Sequence, residues 1–297
     1  MASSLKRCFK GILIALLVLL LAAAALVYYV GAWHILFPSS QHDVKAPTLP
    51  VALESPAILL FSKTNQFRHK EGIVAGRARL AQIAQERGWA VFSTENGAVF
   101  NPDDLQRFAA VVFLNATGDM LSTEQQLAFQ RWLEQGGGWL GIHAAGDGSH
   151  KAWPWYMENL IGAKFTAHIM GPQFQTARVL VEDEQHPLML GLPSEWEHEE
   201  EWYSWESSPR VNGFHVLATV DEDSYSPVVK LFNKERSLRM DDHPVIWSNC
   251  VGKGRSIYSA LGHSAESFDQ SEHRKLLENA LAWTLGLSDS HCPSLLN

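Results

Sequence analysis

QGGGWLGIHAAGD, residues 135–147, reads as a helix exit, a buried strand and a sharp turn that presents one polar side chain. Gly136, Gly137 and Gly138 end a helix, because glycine takes the left-handed and tight conformations that other residues resist. Trp139, Leu140, Gly141 and Ile142 form a short unbroken apolar run, which predicts a strand covered on both faces. His143 follows, then Ala144, Ala145 and Gly146, small residues that allow a sharp turn into the next helix. Open parallel sheets bind ligands beyond the carboxyl ends of their strands, so His143 stands where such folds place their chemistry. A histidine that only hydrogen-bonds at a strand end fits the same stretch.

Outward from this stretch, apolar runs alternate with helical patterns. Ala57 to Phe61 predicts a first strand, followed by a polar loop with Asn65, Arg68 and His69. Ile73, Gly76, Leu80 and Ile83 share one face of a helix that Gly88 ends. Trp89–Ser93 and Ala109–Leu114 predict two more strands, with Asn115, Thr117, Gly118 and Asp119 in the loop after the second. Ser122 with Gln125 makes a capping box for the helix that runs into the three glycines. Short connections between such units imply βαβ crossovers and a parallel sheet between helices. Beyond Asp147 the pattern loosens. A short helix opens at Trp153 and ends at Gly162, and Phe174–Val181, Phe214–Val220, Pro244–Cys250 and Arg255–Ala260 read as strands. Glu195–Glu206 is acidic and aromatic, and Ser271 caps a last helix closed by Gly286.

At the other end, Lys6, Arg7 and Lys10 precede an apolar run from Gly11 to Val30, and no Asp, Glu, Lys or Arg follows until Asp43. Twenty helical residues span about 30 Å, enough to cross a bilayer. Tyr28, Tyr29 and Trp33 suit the far interface, with the basic end in the cytoplasm. A cleaved signal peptide is the rival, since Ala22–Ala25 offers a small-residue site, but the apolar run continues past it. Either way the domain is exported: held in the cell membrane by a single pass, or secreted. Residues 1–37 are then the cytoplasmic end and anchor, and residues 38–56, with four prolines, an extended linker. The chain carries −8 and its first ten residues +3, leaving −11 beyond them, which argues against nucleic acid as a partner. Cys250 and Cys292 are expected as unpaired thiols, although an oxidising compartment allows their disulfide.

Phe67-Arg68-His69, GGGWLGIHAA, WPWYMENLIGAKFTAH, HPLMLGLP, EEEWY, PVIWS, GKGRSIYSALGHS and ALAWTLG occur in this order across residues 57–287. Together they resemble the ThuA-like (trehalose-utilisation) family, leaving 288–297 as a tail. The resemblance implies a flavodoxin-like three-layer α/β/α fold with a mostly parallel sheet, related to class I glutamine amidotransferases. It also implies a link to sugar metabolism and to glycosides oxidised to ring ketones. The amidotransferases carry a cysteine nucleophile in a turn of the form G-x-C-x-G. Here the turn is Gly141-Ile142-His143-Ala144-Ala145, with no cysteine between Cys8 and Cys250, so a thiolate mechanism is not expected.

What remains is a set of histidines and carboxylates at loop positions. His143, His168 and His263 are the expected acid–base groups, with Glu201 assisting; in Glu201's case the resemblance supplies the argument. Arg68, His69 and Asn115 are expected to bind hydroxyls, and Trp153, Tyr156, Trp202 and Tyr203 to stack on a sugar ring. Tryptophan also fills cores, and an acidic run is commonly a solvated face. There is no phosphate-binding loop, dinucleotide fingerprint or serine elbow. No cofactor is expected. The histidines lack a compact zinc motif, so a divalent metal, and with it a metal-dependent hydrolase, is the alternative. A small-molecule carbohydrate is the expected partner, and a non-catalytic sugar-binding module the rival class.

Overall fold

The structure, a computed structural model, describes residues 2–29, 33–231, 234–288 and 292. The strands in chain order are β1 (Ala57–Phe61), β2 (Ala90–Thr94), β3 (Ala110–Leu114), β4 (Gly138–Ile142), β5 (Phe165–His168), β6 (Gln175–Val181) and β7 (Glu195–Glu200). They continue with β8 (Tyr203–Trp205), β9 (His215–Val220), β10 (Val228–Leu231), β11 (Lys234–Ser237), β12 (Pro244–Val251) and β13 (Gly254–Ser259). Nine build one sheet in the order β2-β1-β3-β4-β13-β12-β9-β6-β7, while β10–β11 and β5–β8 are separate pairs. From β2 to β13 all pairings are parallel. From β13 to β7 they are antiparallel. The α/β fold with a mostly parallel sheet is thus as expected, with an antiparallel extension where the sequence pattern loosened.

β1, β3 and β4 are buried at all five positions each, as unbroken apolar strands between two helical layers must be. On one face, a β-carbon added to Gly138 would strike Thr284 of the helix Ser271–Thr284. On the other, Phe113 stacks on Phe129 of the helix Thr123–Glu134 and on Tyr156. The capping box at Ser122 and Gln125 is formed. The last helix begins one residue earlier than the sequence suggests: Gln270 is its N-cap, with no side-chain cap bond.

The N-terminal helix runs Ala2–Tyr29, and its Lys6–Tyr29 portion is long and apolar enough to cross a membrane. Val30 lies outside the described residues. Residues 38–56 form neither helix nor strand, and they lie along the domain. Asp43 pairs with Lys63 and accepts from the Gly97 N–H, and Ser39 donates to the Asn65 carbonyl.

Cys250 and Cys292 are joined in a disulfide, with Cα atoms 5.6 Å apart, which corrects the expectation of two free thiols. Strand β12 presents Cys250 toward the returning tail, a proximity that residues 42 apart in sequence do not reveal.

The helix Lys70–Arg87 docks its first turn against the loop after β13. Gly72 makes that approach possible: an added β-carbon would lie 2.3 Å from the His263 carbonyl oxygen and 2.7 Å from that of Gly262. Gly72→Ala is expected to cost about 1–3 kcal/mol, as overpacking does, and to displace the loop. Denaturant midpoints check this; a variant as stable as the parent would show that the loop moves aside freely.

Candidate active site

Four strands that run in the same direction end on one rim, and each supplies a group. His69 closes the loop after β1, His143 follows β4, His263 follows β13, and Glu200 and Glu201 stand at the end of β7. β7 is four strands from β13 in the sheet order, about 19 Å away were the sheet flat. Yet Glu200 Oε2 accepts a hydrogen bond from the Gly262 N–H at 2.6 Å. The antiparallel extension therefore curls back over the rim.

Glu201, 2 % exposed, lies between the histidines. Its Oε1 accepts from Gln173 Nε2 at 2.6 Å and faces His168 Nδ1 at 2.9 Å. Its Oε2 lies 2.9 Å from His263 Nδ1 and 3.5 Å from His143 Nε2. His143 Nε2 and His263 Nδ1 are 3.0 Å apart. The His69 ring stands edge-on to both, at 5.0 and 4.5 Å between ring centres. Burial opposes the charge on Glu201, but hydrogen bonds from His143, His168 and His263 outweigh it and hold the carboxyl far below the usual range. His143 and His168 are raised in turn: burial opposes their charge, and Glu201 overcomes it. His69 is pushed well down, first by burial and then by its two histidine neighbours.

His143 has φ +47°, a left-handed conformation that is uncommon outside glycine, and Asn115 has φ +49°. Such residues persist where their surroundings over-determine them. The His143 carbonyl accepts from the Tyr258 hydroxyl at 2.7 Å, and its Nδ1–H donates to the Ala260 carbonyl at 2.7 Å. Asn115 binds the Ala144 N–H at 3.1 Å and the Gly262 carbonyl at 2.9 Å, bridging the two loops that carry His143 and His263.

The structure thus brings His69, His143, His168, His263 and Glu201 together. His69, 6 % exposed, belongs to the cluster rather than to an open hydroxyl-binding surface. Asn115, expected to bind a hydroxyl, is fully buried with both ends of its amide engaged. The expected sugar-stacking rings are core. Trp153 and Tyr156 pack on each other, and the Tyr156 hydroxyl donates to the Ala145 carbonyl. Trp202 donates to the Gln175 carbonyl, and Tyr203 lies against the His143 ring at 4.3 Å. All four are at most 5 % exposed. Arg68 is half-exposed and paired with Glu95. With Phe67, Phe174 and His263 it lines a cleft of about 840 Å³. A second cleft, of about 940 Å³, is lined by Lys164, Phe165 and Glu206 and by none of the five cluster residues.

Glu200 was not singled out by the sequence reading. Burial alternates along β7, so that Trp196, His198 and Glu200 point inward while Glu195, Glu197 and Glu199 face solvent. That period of two was the available signal. Glu200 also accepts from the N–H groups of Glu201 and His263 and from the Ser267 hydroxyl. Burial raises its pKa, but His198 and His143 lower it further, to about 2.

Behind Glu200, His273 donates Nδ1–H to the Ser267 carbonyl, and its Nε2 is buried without a partner. Burial, then His198, lowers its pKa to about 3, while the Ser267 carbonyl and Glu200 act the other way. Above pH about 6.5 it is neutral folded or unfolded and costs nothing. Below that, the unfolded chain binds a proton that the native one refuses until about pH 3, so stability falls across this window by at most about 1.4 kcal/mol per pH unit. His273→Leu should be less stable than the parent at pH 7.5, by about 1 kcal/mol for the lost hydrogen bond, and the gap should narrow toward pH 4.5. Urea titrations at both pH values measure it; a constant gap would place the acid sensitivity elsewhere.

Residues 57–284 match the profile of the ThuA family, described as trehalose utilisation. Among solved structures, a ThuA-like protein from Bacteroides uniformis is similar at a TM-score of 0.67, with 24% identity over 81% of this chain and 95% of the other. A ThuA-like protein from Parabacteroides merdae gives 0.60, with 19% identity over 81% and 94%. At these identities the likeness is one of fold, and the fold is consistent with the glutamine amidotransferase-like superfamily. A search of curated proteins finds no match. With the profile spanning well over half of its residues, the chain belongs to the ThuA family, which points broadly to carbohydrate utilisation.

Proposed function

We propose that the domain is an exported, membrane-tethered enzyme that cleaves a glycoside carrying a ring ketone, by proton removal beside the ketone and expulsion of the glycosidic oxygen. The observation that carries this reading is the buried Glu201 carboxylate held among three histidines beside an open cleft. Elimination needs a base to take the proton from the carbon next to the ketone. The carbon–oxygen bond then breaks as the double bond forms, and an acid returns a proton to the departing oxygen. His263 lines the cleft and is the base, with its Nδ1 2.9 Å from Glu201 Oε2. His168, partly exposed on the other oxygen of Glu201 and raised by it, is the acid. His143 is wholly buried behind them and supports His263. The step uses no nucleophile and no nucleotide.

Turnover of p-nitrophenyl keto-glycosides by the full-length protein in detergent, compared with the unoxidised parents, tests this. Release of p-nitrophenol from the keto forms alone is expected. His263→Asn should lower the rate by ~10²–10⁴ with little change in melting, as loss of a general base does. Binding without turnover would make the protein a sugar-binding module and overturn the enzymatic reading.

Export rests on the basic flank before an apolar helix and on the Cys250–Cys292 disulfide, a bond that persists in oxidising compartments. The helix remains as a single-pass anchor with the domain outside the cytoplasm. A phosphatase fused to the C-terminus should be active and membrane-bound; activity only from a cytoplasmic reporter would reverse the orientation.

A further inference from the structure

We propose that His69, His143, His263 and Glu201 bind one divalent transition-metal cation of the zinc type. One ligand atom from each of the four lies within 4.8 Å of all the others. The inference concerns the same cluster as the proposed reaction, but the binding it describes is measured without substrate.

The argument rests on the placement of protons. His143 Nδ1 is committed to the Ala260 carbonyl as a donor, and a neutral imidazole has one N–H and one lone pair. Its Nε2 therefore presents a lone pair to the centre. Glu201 Oε1 is occupied by Gln173 and His168, so Oε2 faces the centre as a second acceptor. His263 Nδ1 stands 3.0 Å from one and 2.9 Å from the other. A proton on His263 Nδ1 serves one acceptor well and leaves the other short of a donor. A proton on His143 Nε2 instead sets the His263 lone pair against the Glu201 oxygen. Protons on both set two N–H groups against each other. His69 sits edge-on beside these groups, and its Nδ1 is buried with no hydrogen-bond partner. A cation at the centre satisfies every lone pair at once.

Three of the distances agree with tetrahedral zinc, and the His69 ligand atom lies within 4.8 Å of the other three. Two ligands about 2.1 Å from a tetrahedral zinc stand about 3.4 Å apart. The separations among His143 Nε2, His263 Nδ1 and Glu201 Oε2 are 3.0, 2.9 and 3.5 Å. Three imidazoles and a carboxylate suit zinc and its neighbours rather than magnesium or calcium, which take oxygen ligands. The supporting bonds have the form that metal sites use: a carbonyl fixes the tautomer of His143, and Gln173 and His168 orient the carboxylate. A cation there would be held by His263 through Nδ1 and would supply Lewis-acid chemistry beside the cleft.

The test uses the untagged full-length protein in detergent. Elemental analysis after gel filtration should find about one equivalent of zinc per chain. Chelator should remove it, and added Zn²⁺ should then raise the melting temperature of the stripped protein. Co²⁺ should give visible absorption that is lost in His263→Ala and His69→Ala, and Zn²⁺ should bind these variants at least ~100-fold more weakly. Gln173→Ala, outside the ligand set, should weaken binding by ~10–100-fold, the usual effect of losing an outer-shell partner. Failure of the stripped protein to bind Zn²⁺ or Co²⁺, or unchanged affinity in His263→Ala and Gln173→Ala, overturns the cation site. Zinc binding without turnover of keto-glycosides leaves the site and removes the enzymatic reading; turnover by a protein that binds neither Zn²⁺ nor Co²⁺ does the reverse.

Discussion

The site depends on one buried carboxylate. Removing an ionised group from water costs several kcal/mol, and only close partners offset it. Glu201 meets that cost with His168 and Gln173 on one oxygen and His263 and His143 on the other. Its partners come from the segments before β6, at the end of β5, after β4 and after β13. The carboxylate therefore ties the antiparallel half of the sheet to the parallel half. Truncating one partner of a buried pair leaves an uncompensated charge, typically at a cost of 3–5 kcal/mol. The neighbouring Glu200 has a different task. It is the last residue of β7 and points inward by strand alternation, where it binds the backbone N–H groups of Gly262 and His263. One carboxylate holds the loop that the other addresses.

Strain enters the same assembly. His143 and Asn115 are both left-handed, and each such residue costs on the order of 1–3 kcal/mol unless its surroundings fix it. Tyr258 and Ala260 fix His143 from the strand beside it, while Asn115 joins the loops after β4 and β13 with a single amide. Gly72 lets the first helix of the domain close over this junction. The imidazole is thus held by backbone geometry as well as by its ring contacts.

Much of this was legible in the sequence, because period and punctuation act locally. The buried strands, the triple glycine, the capping box and the rim position of His143 follow from runs a few residues long. His143, His168, His263 and Glu201 were each identified, but their meeting depends on the curl of the sheet, which no local pattern encodes. The burial of the four aromatic candidates was not legible, because an aromatic ring suits a core and a sugar equally well. The loop contacts of Asn115 were not legible, because a polar residue at a strand end can face a ligand or a neighbouring loop. The disulfide was missed because the tail's return to β12 is a tertiary event. Glu200 hid in β7, where the odd-numbered residues are solvated and the even-numbered ones are not.

The surroundings of the turn after β4 suit a histidine and would not suit a cysteine nucleophile. A reactive thiolate requires electropositive surroundings that lower the thiol's pKa. Here Glu200 and Glu201 lie close enough to raise His143, and the same negative field would raise a thiol at that position and keep it protonated. An imidazole gains from that field what a thiolate would lose. Its ring also extends far enough to meet His263 and Glu201, which contact the rim from strands remote in sequence. His143 and the two carboxylates at the end of β7 therefore belong to one electrostatic arrangement, in which positive charge is welcomed and a thiolate's negative charge is not.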